Sequence, residues 1–358
     1  MQILFKTHYD QDIDHLAIRG ERLRILGALA LALAAPLLID SYFVGELSIF
    51  LVYILAGLGL MVLIGFSGQV SFGHSAFLGI GAYCHSVLLG QGVPFVLSLP
   101  AAALLAGLVG AALGRAASKM HGFYMAIATL AFAIVVETIL GEWTGVTGGH
   151  MGLEVPPLAV FGVELGEPWQ QYYLILAVVL FCIWGVANLM RAPKGRMMIA
   201  VRDSETSARS LGVDIARVKI AAFFVSAMLT GLAGGLMAHL LFYISPDTFG
   251  INESLKLLLM VIVGGVGTIT GAIFGAVFVT VLPVAIAFLR DLAPPSLADV
   301  AGLEQFLFGG IIALFIIFEP AGIYGRWRKL RLFFETYPYY KRATFVRQKR
   351  YLKTERFK

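Results

Sequence analysis

Ten long apolar runs restrict this chain to one class of fold. They cover about 25–39, 44–64, 75–89, 95–114, 122–140, 169–190, 220–244, 255–263, the run that follows residue 271 to about 289, and 306–318. Several reach the roughly 20 residues that cross a bilayer as a helix. Only 14% of the residues are charged and 59% are hydrophobic, against about 25% charged in a soluble domain. The sequence therefore predicts an all-α polytopic membrane protein of about ten transmembrane helices, interrupted by Gly-rich helix breaks.

Loop charge tests the count. With the N-terminus inside, the basic loops at 115–121 and 191–219 and the C-terminal tail all fall inside, as the positive-inside rule requires. The acidic loops at 141–168, 246–253 and 291–304 fall outside. The expected domains are a cytoplasmic N-terminal segment (1–24), a membrane domain (25–325) with a cytoplasmic loop at 191–219, and a basic cytoplasmic tail (326–358). The net charge of +5 is concentrated in those inner loops and the tail, so it is read as membrane anchoring and not as a nucleic-acid site. Tail cations are expected either on anionic lipid or against a partner. In the N-terminal segment, His8, Asp10, Asp12, Asp14 and His15 are read as a solvated tail in preference to a metal site. Arg19, Arg22 and Arg24 before the first apolar run also fit a secretory signal, but the further membrane runs favour a retained helix.

Residues 65–75, Gly-Phe-Ser-Gly-Gln-Val-Ser-Phe-Gly-His-Ser, interrupt two apolar runs with glycine and polar side chains. Irregular backbone at membrane depth is tolerated only inside protein or beside an aqueous cavity. Two readings follow: a broken or re-entrant helix beside a translocation path, or a small-residue packing seam. A second break at 264–271, Gly-Gly-Val-Gly-Thr-Ile-Thr-Gly, also follows an outside-to-inside run, which hints at an internal repeat. Gly65, Gly68, Gln69, Gly73, His74, Gly264 and Gly267 are candidates for shaping or lining the path. Glu137 joins them because an intramembrane carboxylate normally faces protein or water; its alternative is an interfacial position near the outer mouth. Glu319 is read as interfacial.

Enzyme signals are weak. The chain has no Gly-x-x-x-x-Gly-Lys-Ser/Thr loop, so it is not expected to hydrolyse ATP, and no His-Glu-x-x-His zinc motif. His74 and His85 lack partnered metal spacing and are read as hydrogen-bonded packing in preference to pore lining. Cys84 and Cys182 are read as packing residues. The inner loop at 191–219 carries the strongest signal. Arg202, Asp203, Glu205, Ala208, Leu211 and Gly212 read as a short amphipathic helix: Asp203 or Ser204 caps it, Ala208 and Leu211 form its apolar face, and Gly212 ends it. Such a helix suits docking to a separate motor subunit; the alternative is a solvated connection.

These residues carry a resemblance. Residues 205–212 (ETSARSLG), 213–219 (VDIARVK) and 221–238 (AAFFVSAMLTGLAGGLMA) resemble the cytoplasmic-loop signature of ABC importer permeases. In particular they resemble the LivM-type subunit of high-affinity branched-chain amino acid uptake systems. Residues 65–83 (GFSGQVSFGHSAFLGIGAY), 124–137 (YMAIATLAFAIVVE), 147–153 (TGGHMGL), 264–282 and 318–322 (FEPAG) are similar to further motifs of that family. The resemblance spans about 23–325. Thr206 and Ser207 stand where the family usually has Ala-Ala, and the tail after Gly325 lies outside the pattern.

The resemblance implies a bacterial inner-membrane permease subunit that binds no cofactor itself. It implies a homologous LivH-type second permease, two cytoplasmic ATPases that carry ATP and Mg²⁺, and a periplasmic substrate-binding protein. Leucine, isoleucine and valine are the expected cargo. Rivals are an ABC permease for urea or another small polar solute, an ion-coupled secondary transporter, and a membrane-embedded enzyme.

Overall fold

The computed structural model describes residues 19–118, 120, 122–160, 162–291, 303–319 and 321–336. The expectations for residues 1–18, for positions 119 and 121 of the basic loop at 115–121, for 292–302 of the acidic loop at 291–304, and for the tail beyond 336 fall outside them.

Helix α1 (Arg19–Leu38) leads into α2 (Ser41–Leu60), which continues as a π-helical turn through Met61–Phe66. Then follow α3 (His74–Gly90), α4 (Phe95–Ala117), α5 (Phe123–Glu142), α6 (Pro168–Arg191), α7 (Pro193–Asp203) and α8 (Glu205–Ser210). The second half holds α9 (Ile215–Leu241), α10 (Ile251–Gly264), α11 (Ile269–Asp291), α12 (Leu303–Phe318) and α13 (Gly322–Thr336). Helix α13 runs through the boundary drawn at residue 325.

Six helices among the described residues are long and apolar enough to cross a membrane: Ser41–Phe66, Phe95–Ala117, Phe123–Glu142, Pro168–Arg191, Ile215–Leu241 and Ile269–Phe288. The other four apolar runs form shorter elements. The apolar part of α1 is Ile25–Leu38, and α3, α10 and α12 have 17, 14 and 16 residues. The reason is visible at α3 and α10: both border glycine breaks that end helical pairing early.

The fold is not purely helical. On the face carrying the acidic loops, β1 (Leu153–Glu154) pairs antiparallel with β4 (Tyr243–Ile244), and β2 (Ala159–Val160) with β3 (Val163–Glu164). Val155 N–H extends the first ladder to the Phe242 carbonyl at 2.9 Å. These connections have no helix to satisfy their amides, so they pair with one another.

Ser41–Phe66 and Ile215–Leu241 are the most buried spans. Helix α9 sits among glycine faces. A Cβ on Gly59 of α2 would lie 2.8 Å from the Ser226 carbonyl, and one on Gly110 of α4 would lie 2.8 Å from that of Phe223. Gly81 of α3 and Gly234 of α9 would each strike a facing carbonyl, of Gly231 and Leu78 respectively. Small residues allow this close backbone approach in membrane bundles, where apolar burial alone gives little drive. Helix α1 is held differently. Pro36 has no N–H for the Ala32 carbonyl one turn back. The Tyr172 hydroxyl donates to that carbonyl at 2.9 Å, and Tyr173 donates to the Leu33 carbonyl at 2.9 Å.

Gly81→Val and Gly234→Val are expected to destabilise the bundle by about 3 kcal/mol each, because the obstruction is backbone. Gly45→Ala, with open space around it, is expected to be neutral. Thermal unfolding of the detergent-solubilised protein checks both.

Candidate functional site

The two glycine breaks meet on the face that carries the basic loops. As the π-helical turn ends, Gly68 N–H bonds the Ile64 carbonyl and Gln69 N–H bonds that of Leu63. The Gly65 carbonyl is left without a helical donor. Arg202 Nη1 donates to it at 2.9 Å. The same guanidinium holds Asp203 Oδ1 through Nε at 2.9 Å and Nη2 at 2.8 Å. A Cβ on Gly65 would lie 2.7 Å from the backbone nitrogen of Gly267, and one on Gly267 would lie 3.1 Å from Arg202 Nη1. Gly68 has φ +72° and packs under the Arg202 stem, with 2.9 Å from a built Cβ to Cγ. Any side chain at these glycines would displace the arginine or separate the breaks.

The far side of the junction is closed by Gly322 and Tyr324. Gly322 packs on Gly265, 2.7 Å from a built Cβ to its nitrogen and Cα, and Gly265 in turn faces Tyr324. Glu319 pairs with Arg326 of α13. Gly264 lies directly against the Gly271 carbonyl, which folds α10 and α11 into a tight hairpin.

The loop at 191–219 is two helices, α7 and α8. Ser204 caps α8 by accepting from Ser207 N–H at 3.2 Å. Asp203 ends α7 and is not the cap. After Ser210, the Val213 N–H bonds the Ala208 carbonyl at 3.1 Å and the Gly212 N–H bonds that of Arg209 at 3.0 Å. With Gly212 at φ +84°, this is a Schellman turn. It corrects the expected apolar face. Ala208 is buried, but the turn swings Leu211 outward, where it is 81% exposed. Glu205 Oε1 meets Lys219 Nζ at 2.8 Å, and the Lys219 side chain is only 2% exposed. Sequence reading counted Lys219 as a loop cation. Its position, one turn into an apolar helix, was the available signal.

Gln69, Gly73 and His74 form a second cluster. Residues 67–73 are irregular, and Phe72 N–H donates to Thr129 Oγ1 at 3.0 Å. Thr129 lies about 9 Å along α5 from Phe123, so the chain climbs back into the bundle before α3 begins. His74 is fully buried. Its Nε2 is 2.7 Å from Ser226 Oγ, which donates its own proton to the Gly59 carbonyl at 2.6 Å. His74 Nε2 therefore carries the proton, and Nδ1 accepts from Ser71 Oγ at 3.1 Å. This supports the packing reading of His74. Gln69 donates to Ser67 Oγ at 2.9 Å, while its buried Oε1 has no partner. Glu137 lies apart, half-buried toward the acidic face, with Oε1 3.2 Å from a Cβ built on Gly250 before α10.

Arg202, Asp203, Gly65, Gly68, Gly264 and Gly267 are thus brought together. Glu205, Ala208, Leu211 and Gly212 form the neighbouring α8 hook, and Glu137 belongs to neither.

Six apolar helices of membrane length, with two glycine breaks packed together, place the chain in the class of polytopic membrane proteins. Comparison with known families makes the assignment specific. The family described as branched-chain amino acid transport system / permease component matches residues 42–316, and the chain belongs to that family. It is 31% identical over 328 residues to the high-affinity branched-chain amino acid transport system permease protein LivM of Escherichia coli K12, covering 85% of this chain and 75% of the relative. Similarity to the probable branched-chain amino acid transport permease protein LivM of Methanocaldococcus jannaschii is 23% over 240 residues, 66% and 69% of the two chains. The autoinducer 2 import system permease protein LsrC of Salmonella typhimurium is 30% identical over 221 residues, 57% and 60% of the two chains. No solved structure matches. The chain is a transport subunit and not an enzyme. The family match ends at residue 316, although the structure packs Gly322 into the junction.

Glu205→Gln leaves the buried Lys219 ammonium unpaired. It is expected to cost about 2 kcal/mol, less than for a fully buried pair because Glu205 is one-third exposed. The double variant Glu205→Gln/Lys219→Met is expected to recover most of that loss in thermal unfolding.

Proposed function

We propose that this chain is the transmembrane permease subunit of an ATP-driven ABC importer for branched-chain amino acids. A periplasmic binding protein delivers leucine, isoleucine or valine. A LivH-type second permease completes the path, and two cytoplasmic ATPases supply ATP hydrolysis with their own Mg²⁺. The chain sits in a bacterial inner membrane with both termini cytoplasmic, and the four shorter helices complete about ten crossings with the partner subunit's help. The family membership supports the cargo class. The relation to an autoinducer 2 permease supports a second reading, a small polar solute other than an amino acid.

The observation that carries the mechanism is the Arg202 bond to the Gly65 carbonyl. Helices α7 and α8 dock on the ATPase, with exposed Leu211 as the contact and Glu205–Lys219 as the brace to α9. Arg202 faces inward and transmits the movement. ATPase closure pushes on α8, Arg202 shifts, and the two glycine breaks separate or close. The Gly contacts make the junction switch between packings, since close-packed elements shift as units.

Purified with its partner subunits in proteoliposomes, the wild-type complex is expected to accumulate leucine in an ATP-dependent manner. A panel including urea and neutral polar amino acids decides cargo; uptake of urea alone overturns the amino acid reading. Ion-driven uptake by this chain without ATPases overturns the importer reading.

Arg202→Gln is expected to lower uptake at least tenfold while ATPase subunits still co-purify. Gly212→Leu, which forces a left-handed residue to carry a side chain, is expected to lose co-purification as well. Unchanged uptake in both variants removes α7 and α8 from the mechanism.

A further inference from the structure

Tyr53, Lys256 and Glu253, the last counted above with the acidic loop at 246–253 but lying in the first turn of α10, form a charged cluster at the middle of the bundle. Tyr53 on α2 is buried and lies midway between Ser41 and Gly65, about 18 Å from each. Lys256 on α10 donates its Nζ to the Tyr53 hydroxyl, and the same ammonium is 4.2 Å from the centre of the ring. Glu253, one turn before it, offers Oε2 to Lys256 Nζ at 3.6 Å. That is looser than a charge-assisted hydrogen bond, which closes to about 2.8 Å. The second oxygen, Oε1, is buried without any hydrogen-bond partner.

An ammonium and a carboxylate at this depth face protein or water, because hydrocarbon solvates neither. Around α10, Ser254 turns inward to Ser75, with Oγ to Oγ at 2.6 Å. The opposite side carries exposed Asn252 and Leu255 beside half-exposed Lys256 and Leu259. Lys256 therefore stands at the edge of an uncovered strip, held by Tyr53 and only loosely by Glu253. The Glu253 carboxylate also hydrogen-bonds the Tyr53 side chain, so the pair is loose only in its direct contact with Lys256, and Oε1 is the one acceptor left over.

We propose that Lys256 and Glu253 are a mid-membrane contact for a zwitterionic amino acid. The cargo carboxylate meets the Lys256 ammonium, the cargo ammonium meets Glu253 Oε1, and Tyr53 is a positioning residue that aims Lys256. The two charges of one α-amino acid match the two partly unused charges of the cluster, and a cargo without them gains nothing there. This rests on the import of amino acids proposed above, and it locates selectivity within the permease as well as in the delivering protein.

The test uses the assembled transporter in proteoliposomes, with radiolabelled leucine as probe. Lys256→Met is expected to reduce uptake at least tenfold while subunits still co-purify at wild-type yield. If that variant does not assemble, Glu253→Gln/Lys256→Met, which removes both charges, carries the same expectation. The charge exchange Glu253→Lys/Lys256→Glu separates cargo contact from internal bracing. Restored assembly without restored uptake supports the contact, and restored uptake shows a structural ion pair and overturns it. Full uptake by Lys256→Met or by the charge-free double variant also overturns it. Leucine uptake by the wild-type complex distinguishes these results from a failure of the import reading, in which the wild type itself takes up no leucine.

Discussion

A carbonyl released inside an apolar bundle must find a donor, and the junction depends on how Gly65 finds one. A broken helix in water would hand that oxygen to solvent. Here the chain delivers a guanidinium from 137 residues away. The arginine can approach only because Gly68 and Gly267 have no side chains in its way, and Gly267 reaches this place only because Gly65 has none. The glycines and the arginine are one device, since each would be costly without the other. Helix α7 sets the arginine's height, and Asp203 holds the guanidinium plane.

From this constraint the surrounding order follows. The α10–α11 hairpin must be tight enough to bring Gly267 beside Gly65, and Gly264 against Gly271 makes it so. Gly322 and Tyr324 cover Gly265 of that hairpin, and the Glu319–Arg326 pair fixes the start of α13 there. On the neighbouring side, the buried Lys219 ties α8 to the foot of α9. An ion pair of this kind adds little net stability but sets a unique arrangement, because its misalignment leaves a charge unpaired.

Much of this was legible in the chain. The apolar runs gave the helices, and Gly-rich composition at 65–75 and 264–271 marked both breaks. Serine before Glu205 and glycine after Leu211 marked the ends of α8. Other features were not legible. Arg202 was read only as part of the docking helix, and its bond to Gly65 was hidden, because local spacing cannot show that a distant carbonyl lacks a donor. Leu211 was grouped with Ala208 by helical period, whereas the left-handed Gly212 ends that period. Of the ten apolar runs, six are helices of membrane length among the described residues; that α3 and α10 are shorter was not legible, because hydropathy does not record where a chain re-enters the bundle. Lys219 was hidden by its basic neighbours, and His74 by the absence of any local clue to Ser226.

The glycine faces around α9 have one more consequence. Backbone packed against backbone has no side-chain slack, so this helix behaves as a stiff rod gripped along its length. Lys219 near one end and His239 near the other are about 30 Å apart. A tilt of about 5° at the hook would sweep the far end by roughly 2.5 Å over that length. There the rod runs into β4, which is zipped to β1. A tilt at the hook is therefore expected to reach the loop at the other end of the rod.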